Sequence, residues 1–566
     1  MRLISVLTFL LAAVEGLRTG RRNPLVRKGL SRNIKKVEKS TAAVFPGPQD
    51  KPFPRHRFLN VNSTRFAVNG TGIPEVDFDV GESYAGSLPV SQDPNEKSNL
   101  FFWFFPSSNK AAKKEIVIWF NGGPGCSSFE GLLQEHGPFL WAPGTEKPTR
   151  NPWSWHTLTN IVYVEQPVGT GFSTGVPSIT NEEDLAAQFL GWWKNFVDTF
   201  GMQGYKVYIA GESYAGYFCP YIGNAMLNAN DTTYYKLSGM LMNDVLLDNF
   251  IVNQYIPTFR FMEFYSALFR FADPFLADLK AADDRCGYSS YLDNNLIFPP
   301  VSHLPSPLPG VGENGTVMED CATLWWLIAA EATSLNPCFD IYHVTSFCPR
   351  MYDPLGFLAG IPYMPPGEKT YFDRDDVKAA IHAPMNVTWN ECSSDYVFAS
   401  HEDGSGPSTV YALPNVIDKT QNVIIGHGQL DMLLPSNGTL LAIQNMTWGG
   451  KLGFQNRPLE PFYVPDTNVF GETNVPLGGA GVMGSMVSER GLTWVGVTGA
   501  GHMVPGDAPS AAYRQLEYLL GRVDCMNCTT PFTVEGLYFS HQIKGDLGPG
   551  TAPQSWSDKK PDDSGR

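Results

Sequence analysis

Short apolar runs that end in polar or glycine-containing turns constrain the fold of this chain more than any other feature of its sequence. They occupy residues 116–120, 161–164, 207–210, 423–425 and 492–497. Such continuous runs, rich in β-branched residues, are typical of strands that are buried on both faces of a parallel sheet. Stretches of helical period, at 183–200 and 508–520, alternate with them. The alternation predicts an α/β fold with a mostly parallel central sheet flanked by helices.

Residues 246–365 break this alternation, because they are aromatic, rich in proline and contain cysteines. These cysteines are Cys286, Cys321, Cys338 and Cys348. In α/β sheets the chemistry lies at the carboxyl ends of the strands. We therefore interpret 246–365 as a cap that is inserted over that edge and stapled to itself, not as a second domain. The core then comprises residues 56–245 and 366–522, and residues 523–566 form a C-terminal tail, whose last 25 residues are rich in Pro, Gly, Ser, Asp and Lys and resemble a loose segment.

The charge balance of the 566-residue chain excludes one class of partner. Its 41 Lys and Arg stand against 56 Asp and Glu, and the formal net charge is −15, whereas nucleic-acid-binding proteins are normally basic. Hydrophobic residues make up 43% and charged residues 17%, as in an ordinary globular protein. After the first twenty residues no apolar run is long enough to span a bilayer. We expect neither nucleic-acid nor membrane partners.

Residues 1–16 indicate a secretory signal peptide, since a basic start is followed by a short apolar core and small residues. An ordinary N-terminal hydrophobic helix is the alternative. Residues 17–55 form a basic extension with the dibasic pairs Arg21-Arg22 and Lys35-Lys36. These pairs slightly favour a removable propeptide over a solvated basic arm.

Glycosylation sequons and cysteines also indicate a secreted protein. Eight Asn-x-Ser/Thr sequons occur, at Asn62, Asn69, Asn230, Asn314, Asn386, Asn437, Asn445 and Asn527. With a signal peptide they predict a glycosylated secreted protein. Nine cysteines suit an oxidising compartment, although the odd number leaves at least one unpaired. Cys525 and Cys528 form a Cys-x-x-Cys that we interpret as structural, either bridged or spare, and no Cys/His spacing indicates a zinc site.

The segment Gly211-Glu212-Ser213-Tyr214-Ala215-Gly216 follows one of the apolar runs and precedes a helical stretch. Small residues around a serine at this place allow the sharp strand-to-helix turn of a nucleophile elbow. A serine that merely caps a helix is the alternative. The pattern predicts Ser213 as a nucleophile.

An activated serine needs a histidine base and a carboxylate that orients it. His502 follows the last strong apolar run, and Asp431 follows the run before it, so the chain order is Ser…Asp…His, as in α/β-hydrolases. His427 is the nearest rival, but it precedes the candidate acid. The alternatives are a loop position for His502 and a helix cap for Asp431.

Gly122-Gly123-Pro124-Gly125 ends an early apolar run and suits an oxyanion hole, where backbone amides approach a substrate closely. The amides of Gly123 and Tyr214 are the predicted donors. A simple turn is the alternative.

Three motifs, at residues 119–128, 211–216 and 501–505, together resemble the serine carboxypeptidases, most closely their secreted fungal members. The resemblance covers roughly residues 56–522 and implies an α/β-hydrolase fold with an inserted cap. It implies Ser213 as the nucleophile, Asp431 as the orienting acid and His502 as the base. It also implies a receptor for the terminal carboxylate of a peptide, formed by Asn121, Gly122, Glu135 and Glu212.

The same resemblance implies a disulfide from Cys126 to Cys392 and suggests Cys219 as the unpaired thiol. It implies peptide and protein C-termini as partners, and neither a cofactor nor a metal. Met503 and Leu434 adjoin the presumed His and Asp, and their apolar side chains suggest a preference for hydrophobic C-terminal residues.

Two glutamates that face a substrate carboxylate in a closed pocket cannot all be ionised, so at least one holds a proton. We therefore expect peptidase activity at acidic pH, with a KM that rises as the pH rises. An acyltransferase or lyase on the same scaffold is the alternative. A non-catalytic binding protein would not need an intact Ser, Asp and His. We expect a secreted enzyme, with the vacuole as the alternative location.

Overall fold

The computed structural model describes residues 57–349, 351–356, 364, 367–466 and 479–533. The predicted signal peptide and most of the predicted N-terminal extension and C-terminal tail lie outside these residues. No helix within the described ranges is long and apolar enough to cross a membrane.

The strands lie in one large sheet and two small ladders. In chain order they are β1 (Ala67–Val68), β2 (Ser83–Pro89), β3 (Asn99–Phe105), β4 (Glu115–Phe120), β5 (Phe139–Leu140), β6 (Thr149–Arg150), β7 (Asn160–Glu165), β8 (Lys206–Glu212), β9 (Lys236–Asn243), β10 (Val423–Gly428), β11 (Thr447–Trp448), β12 (Lys451–Leu452), β13 (Glu460–Val464), β14 (Gly481–Glu489) and β15 (Leu492–Val497). The 11-stranded sheet has the order β1-β2-β3-β7-β4-β8-β9-β10-β15-β14-β13. Its centre, from β7 to β15, is parallel, whereas both flanks are antiparallel.

Helices pack on both faces of this sheet and also lie in the stretch that we interpret as a cap. They are α1 (Glu182–Phe200), α2 (Ala215–Ala229), α3 (Ile256–Phe264), α4 (Ser266–Phe269), α5 (Asp273–Cys286), α6 (Tyr288–Asn295), α7 (Glu319–Leu335), α8 (Asp375–Ala380), α9 (Ala412–Thr420), α10 (Ser436–Gln444), α11 (Val504–Asp507) and α12 (Pro509–Leu519). On β4, Ile118 belongs to one core with Phe189 of α1, and its neighbour Trp119 belongs to the opposite core with Leu516 of α12. Burial on both faces explains why the apolar runs are continuous. The predicted α/β fold is confirmed.

Helix α1 shows how local sequence sets an element's bounds. The side chain of Asn181 accepts a hydrogen bond from the amide of Asp184 at 2.8 Å and caps the first turn. Gly201 ends the helix in the left-handed region, with a φ of 65°. The predicted helical stretches at 183–200 and 508–520 therefore correspond to α1 and α12.

Strand β9 lies in the middle of the parallel sheet, yet the pattern of apolar runs does not predict it. Its Leu-Ser-Gly-Met sequence interrupts the run and has no β-branched residue, and Gly239 packs against Asn422. Pairing with β8 and β10 on either side makes this segment a strand. Tertiary context overrides weak local propensity here.

The stretch that we interpret as a cap contains helices α3 to α7, between β9 and β10. Two of its side chains hold the segment that follows β10. Trp325 Nε1 donates to the Met432 carbonyl at 2.9 Å, and Gln254 Nε2 donates to the Leu433 carbonyl at the same distance. The helices of the insertion thus contact the turn that carries Asp431.

The start of the predicted tail packs against the core. The Phe532 ring lies 5.1 Å from that of Trp153 and 5.7 Å from that of Tyr513, and Phe532 is buried. The core therefore extends beyond residue 522 because these aromatic rings bury one another.

Candidate active site

Ser213 lies on a sharp turn between β8 and α2, with a φ of 62°. This left-handed conformation is uncommon for a residue with a side chain, and it is the strained turn that exposes an elbow nucleophile. Amides of Gly216 and Leu246 donate to the Ser213 carbonyl, at 3.1 and 3.0 Å. A Cβ on Gly211 would lie 2.6 Å from the Phe120 carbonyl oxygen, and one on Gly216 would lie 2.2 Å from that of Leu246. The glycines of the motif are therefore required by close backbone approach.

His502 and Asp431 form a buried hydrogen bond of 2.7 Å between Nδ1 and Oδ2. The other carboxylate oxygen of Asp431 accepts from the amides of Leu433 and Leu434, at 2.8 and 3.2 Å. Since Asp431 accepts at Oδ2, the imidazole proton lies on Nδ1 and the lone pair lies on Nε2. No described residue forms a hydrogen bond with that Nε2. The arrangement leaves His502 able to accept a proton from a hydroxyl group.

Strands β8, β10 and β15 are parallel members of one sheet, so the segments that carry Ser213, Asp431 and His502 leave it at the same edge. The rival His427 lies inside β10 and is fully buried. Its Nε2 donates to the Leu434 carbonyl at 2.6 Å. His427 is therefore committed to the backbone and closed to a substrate.

The glycine loop after β4 lies directly against the elbow. A Cβ on Gly122 would lie 2.5 Å from the amide nitrogen of Tyr214 and 2.6 Å from Cβ of Ser213. Gly123 has a φ of 110°, a conformation that disfavours side chains. Glycine at both positions brings the two predicted oxyanion-hole segments, those of Gly123 and Tyr214, side by side.

Asn121 holds the predicted carboxylate receptor together. Its Nδ2 donates to Glu212 at 2.8 Å and to Glu130 at 3.2 Å. Its Oδ1 accepts from the indole of Trp119 at 2.7 Å and from the amide of Gly131 at 3.2 Å. These two donors fix the orientation of the amide, so its N–H groups must face the carboxyl groups.

Glu135 lies on the π-helical turn Gly131–His136, and Glu212 ends β8; both are buried. Burial, followed by the charges of Glu130 and Asp507, raises the pKa of Glu135 well above its usual range. Burial, followed by the charges of Glu135 and Glu130, does the same to the pKa of Glu212. The side chains of Glu212 and Asn121 lie within hydrogen-bonding reach of the Glu135 carboxyl group. A hydrogen bond between Glu135 and Glu212 therefore needs a proton on one of them.

Two further buried carboxyl groups lie close by, and no sequence motif predicts them: Glu130 contacts Asn121, and Glu391 interacts with Glu130. Burial and the charge of Asp353 raise the pKa of Glu130 to about 8. Burial, then the charges of Glu130 and Asp353, raises the pKa of Glu391 well above its usual range. Glu130 lies two residues beyond the motif at 119–128, and its contact with Asn121 is what distinguishes it from a surface acid. Glu391 has one local signal, its position next to Cys392.

Leu434 is buried in a small cluster with Tyr217 and Leu246, and Tyr214 packs against that cluster. Met503 is half-buried and immediately follows His502. An apolar wall thus adjoins the elbow on the side of Leu434.

The disulfide from Cys126 to Cys392 is present and ties the glycine loop to the segment that carries Glu391. The cap cysteines pair among themselves, as Cys286–Cys321 and Cys338–Cys348, which confirms the predicted stapling. Cys525 and Cys528 are bridged, so the first of the two alternatives for this motif holds. Among the described residues Cys219 is free and buried, as expected.

The sequons differ in accessibility. Seven of the predicted asparagines are exposed: Asn62, Asn69, Asn230, Asn314, Asn386, Asn437 and Asn527. Asn445 is half-buried, and its Oδ1 accepts a hydrogen bond from the amide of Leu304 at 2.9 Å. Asn445 is therefore the least accessible of the eight asparagines to glycosylation.

The family profile described as serine carboxypeptidase matches residues 74–522. A "Probable serine carboxypeptidase" of Arthroderma benhamiae is 48% identical over 476 residues, which are 82% of this chain and 88% of that protein. The "Serine-type carboxypeptidase F" of Aspergillus niger is 41% identical over 510 residues, 88% of this chain and 94% of that protein.

Among solved structures, the prohormone-processing carboxypeptidase Kex1 of Saccharomyces cerevisiae superimposes with a TM-score of 0.63. The match covers 81% of this chain and 96% of that chain at 23% identity, and it shows that the two proteins share a fold. The sheet with its parallel centre and flanking helices is accordingly an α/β-hydrolase fold. A profile that spans residues 74–522, with relatives at 41% and 48% identity, shows that the chain belongs to the serine carboxypeptidase family and is a serine-type carboxypeptidase.

Proposed function

We propose that this enzyme releases C-terminal amino acids from peptides and proteins at acidic pH, through an acyl-enzyme on Ser213. The observation that carries the proposal is the buried pair of Glu135 and Glu212. Asn121 donates a hydrogen bond to Glu212, the residue that directly precedes the nucleophile. Such a pair binds a terminal carboxylate only while it holds a proton, because two ionised carboxylates would repel a third.

In this mechanism the Ser213 hydroxyl oxygen attacks the scissile carbonyl carbon while Nε2 of His502 takes its proton. Asp431 holds the imidazole through Nδ1 and stabilises the imidazolium. The amides of Gly123 and Tyr214 stabilise the oxyanion. His502 then gives this proton to the leaving amine as the C–N bond breaks, which leaves an ester on Ser213. Water attacks the ester carbonyl carbon while His502 takes its proton, and the ester bond breaks as the proton returns to the Ser213 oxygen.

The receptor confines the cut to the last peptide bond. Asn121 and the Glu135–Glu212 pair bind the carboxylate of the final residue, which aligns only the bond before that residue with Ser213. The apolar cluster of Leu434, with Met503 beside His502, favours hydrophobic residues at the scissile bond. An acyltransferase or lyase does not need such a receptor, so its presence supports the peptidase over those alternatives.

We further propose that the enzyme is secreted and that the basic extension at 17–55 is removed from it. Exposed sequons, the paired cysteines and the predicted signal peptide support entry into the secretory pathway, with which both secretion and delivery to the vacuole begin.

A comparison of matched substrates tests the exopeptidase assignment. Blocked dipeptides with a free C-terminal carboxylate and the same dipeptides as C-terminal amides are incubated at pH 4–7. We expect efficient release of the last residue from the free acids at pH 4–5 and much slower cleavage of the amides. Equal rates for acid and amide at pH 4–5, or cleavage at internal bonds of longer peptides, would overturn the proposal.

Glu212→Gln is expected to flatten the pH dependence of KM for free-acid substrates. Raising the pH removes the proton shared by Glu135 and Glu212, whose pKa values burial raises, so in the wild type KM rises with pH. In the variant the amide stays neutral at every pH, and only Glu135 remains to ionise. Steady-state kinetics from pH 4 to 8 measure this effect, with Glu319→Gln on the exposed first turn of α7 as the control. An unchanged rise of KM with pH in Glu212→Gln would refute this account.

A further inference from the structure

A second buried carboxyl group, that of Asp244, lies beside Asp431 and has no part in the reaction described above. Asp244 directly follows β9 and has a φ of 49°. One polar atom each of Asp244, His427 and Asp431 all lie within 4.8 Å of one another, and all three side chains are fully buried. Strand β9, which the pattern of apolar runs does not predict, thus places a carboxyl group beside Asp431, the acid that orients His502.

No cation among the described residues neutralises this pair of carboxyl groups. His427 Nε2 is 3.5 Å from Asp244 Oδ1 and 4.0 Å from Asp431 Oδ2, but it donates its proton to the Leu434 carbonyl. Burial also lowers the pKa of His427 to about 4, so the imidazole is neutral over most of the acidic range. Two carboxyl groups in such an environment share one negative charge and one proton.

The hydrogen bonds decide which group holds the proton. Asp431 accepts from two backbone amides and from His502, and all three donors stabilise its charge. Asp244 accepts one amide hydrogen, from Gly428 at 2.8 Å, and no N–H group of the described residues donates to its Oδ2, whereas its carboxyl group lies within hydrogen-bonding reach of Asp431. Burial and then the charge of Asp431 raise the pKa of Asp244 well above its usual range. This asymmetry of hydrogen bonds favours Asp244 as the group that holds the proton.

We propose that Asp244 is a positioning residue that stays protonated and donates a hydrogen bond to Asp431, so that His502 remains an unprotonated base at acidic pH. This inference rests on the proposed roles of Asp431 and His502. The negative charge of Asp431 stabilises the imidazolium form of His502. A neutral Asp244 that donates a hydrogen bond to Asp431 weakens that stabilisation, so the imidazole of His502 stays unprotonated down to a lower pH.

Other titratable groups face Asp244 from each neighbouring element. They are Glu212 at the end of β8, His427 and Asp431 in and after β10, and His502 and Asp507 after β15. Burial and neighbouring acids raise the pKa of Glu212 well above its usual range. Asp507 accepts the amide hydrogen of Gly501 at 2.8 Å. Neither supplies a positive charge that would ionise Asp244.

The test compares Asp244→Asn, which keeps a neutral N–H donor, with Asp244→Ala, which removes it. Asparagine also tolerates the left-handed backbone of this position. We expect Asp244→Asn to keep the acid limb of kcat/KM where the wild type has it. We expect Asp244→Ala to move that limb to higher pH by about one unit, so kcat/KM on the limb falls about tenfold, while the plateau changes little. Asp283→Asn, a buried carboxyl in the cap, is the matched control.

A second readout needs neither substrate nor activity. The low-field proton resonance of His502 Nδ1–H, recorded by NMR on the full-length protein against pH, reports the charge on the imidazole. We expect its transition to move to higher pH in Asp244→Ala and to stay in place in Asp244→Asn. A uniform loss of kcat in both variants without movement of the limb or the resonance would show a structural role and overturn the inference. Equal shifts in the two variants would overturn it as well.

The two readouts also separate this inference from the proposed function. If free-acid dipeptides are not cleaved but the resonance moves as expected, only the proposed function fails. If the peptidase assay succeeds and the resonance in Asp244→Ala stays at the wild-type position, only the role of Asp244 fails. Thermal unfolding of each variant shows whether it is folded; if Asp244→Ala is not, Asp244→Gly, which also lacks a donor and suits the left-handed backbone of this position, replaces it with the same expectations.

Discussion

Ser213→Ala is expected to lower kcat for the release of C-terminal residues by about 10⁶-fold, as loss of the nucleophile does in other serine peptidases. The variant keeps the elbow, because alanine is no larger than serine and the turn is held by backbone hydrogen bonds from Gly216 and Leu246. Substrate binding should persist, since Asn121 and the Glu135–Glu212 pair are untouched. A dissociation constant near the wild-type KM, together with this loss of kcat, is the expected result.

The measurement is release of free amino acid from a blocked dipeptide at pH 4–5, with peptide affinity measured separately by calorimetry. Ser290→Ala, on the exposed surface of α6, is the control for the loss of a serine hydroxyl. Activity of Ser213→Ala within tenfold of the wild type would remove Ser213 from the mechanism.

Asp431→Asn is expected to lower kcat by about 10⁴-fold with little change in fold. The backbone amides of Leu433 and Leu434 require an acceptor at Oδ1, so an asparagine would keep its oxygen there and turn its N–H₂ group toward His502. The imidazole would then have to present a lone pair at Nδ1 and carry its proton on Nε2. In that tautomer His502 has no lone pair for the hydroxyl proton of Ser213.

Single-turnover kinetics with an activated ester substrate check this expectation, because they isolate acylation. Asp284→Asn, on the exposed face of α5, serves as the control. If kcat of Asp431→Asn stayed within tenfold of the wild type, Asp431 could not be the residue that sets the tautomer of His502.

Some parts of the fold and site are encoded in short stretches of sequence. The strands β4, β7, β8, β10 and β15 follow from apolar runs because each is buried on both faces, so each residue of the run faces a core. Ser213 and the glycines around it follow from one local motif, since the turn itself demands small residues. His502 and Asp431 follow from their positions after successive strands.

Other parts escaped prediction because their signals are not local. Strand β9 has a weak intrinsic preference, and its neighbours β8 and β10 make it a strand. The acids Glu130 and Glu391 look like ordinary polar residues until burial beside Asn121 and the Cys126–Cys392 disulfide sets them apart.

The sequence by itself determined the fold class, the family and the candidate nucleophile, base and acid, because each depends on residues in contiguous motifs or on strand order. Only the tertiary structure decided which carboxyl groups share protons. Glu135 lies beside Glu212 although the two belong to different segments, and Asp244, which follows β9, lies beside Asp431, which follows the neighbouring strand β10. A proton is held where burial raises the cost of a second charge, and burial is a property of the packed molecule, not of any one segment.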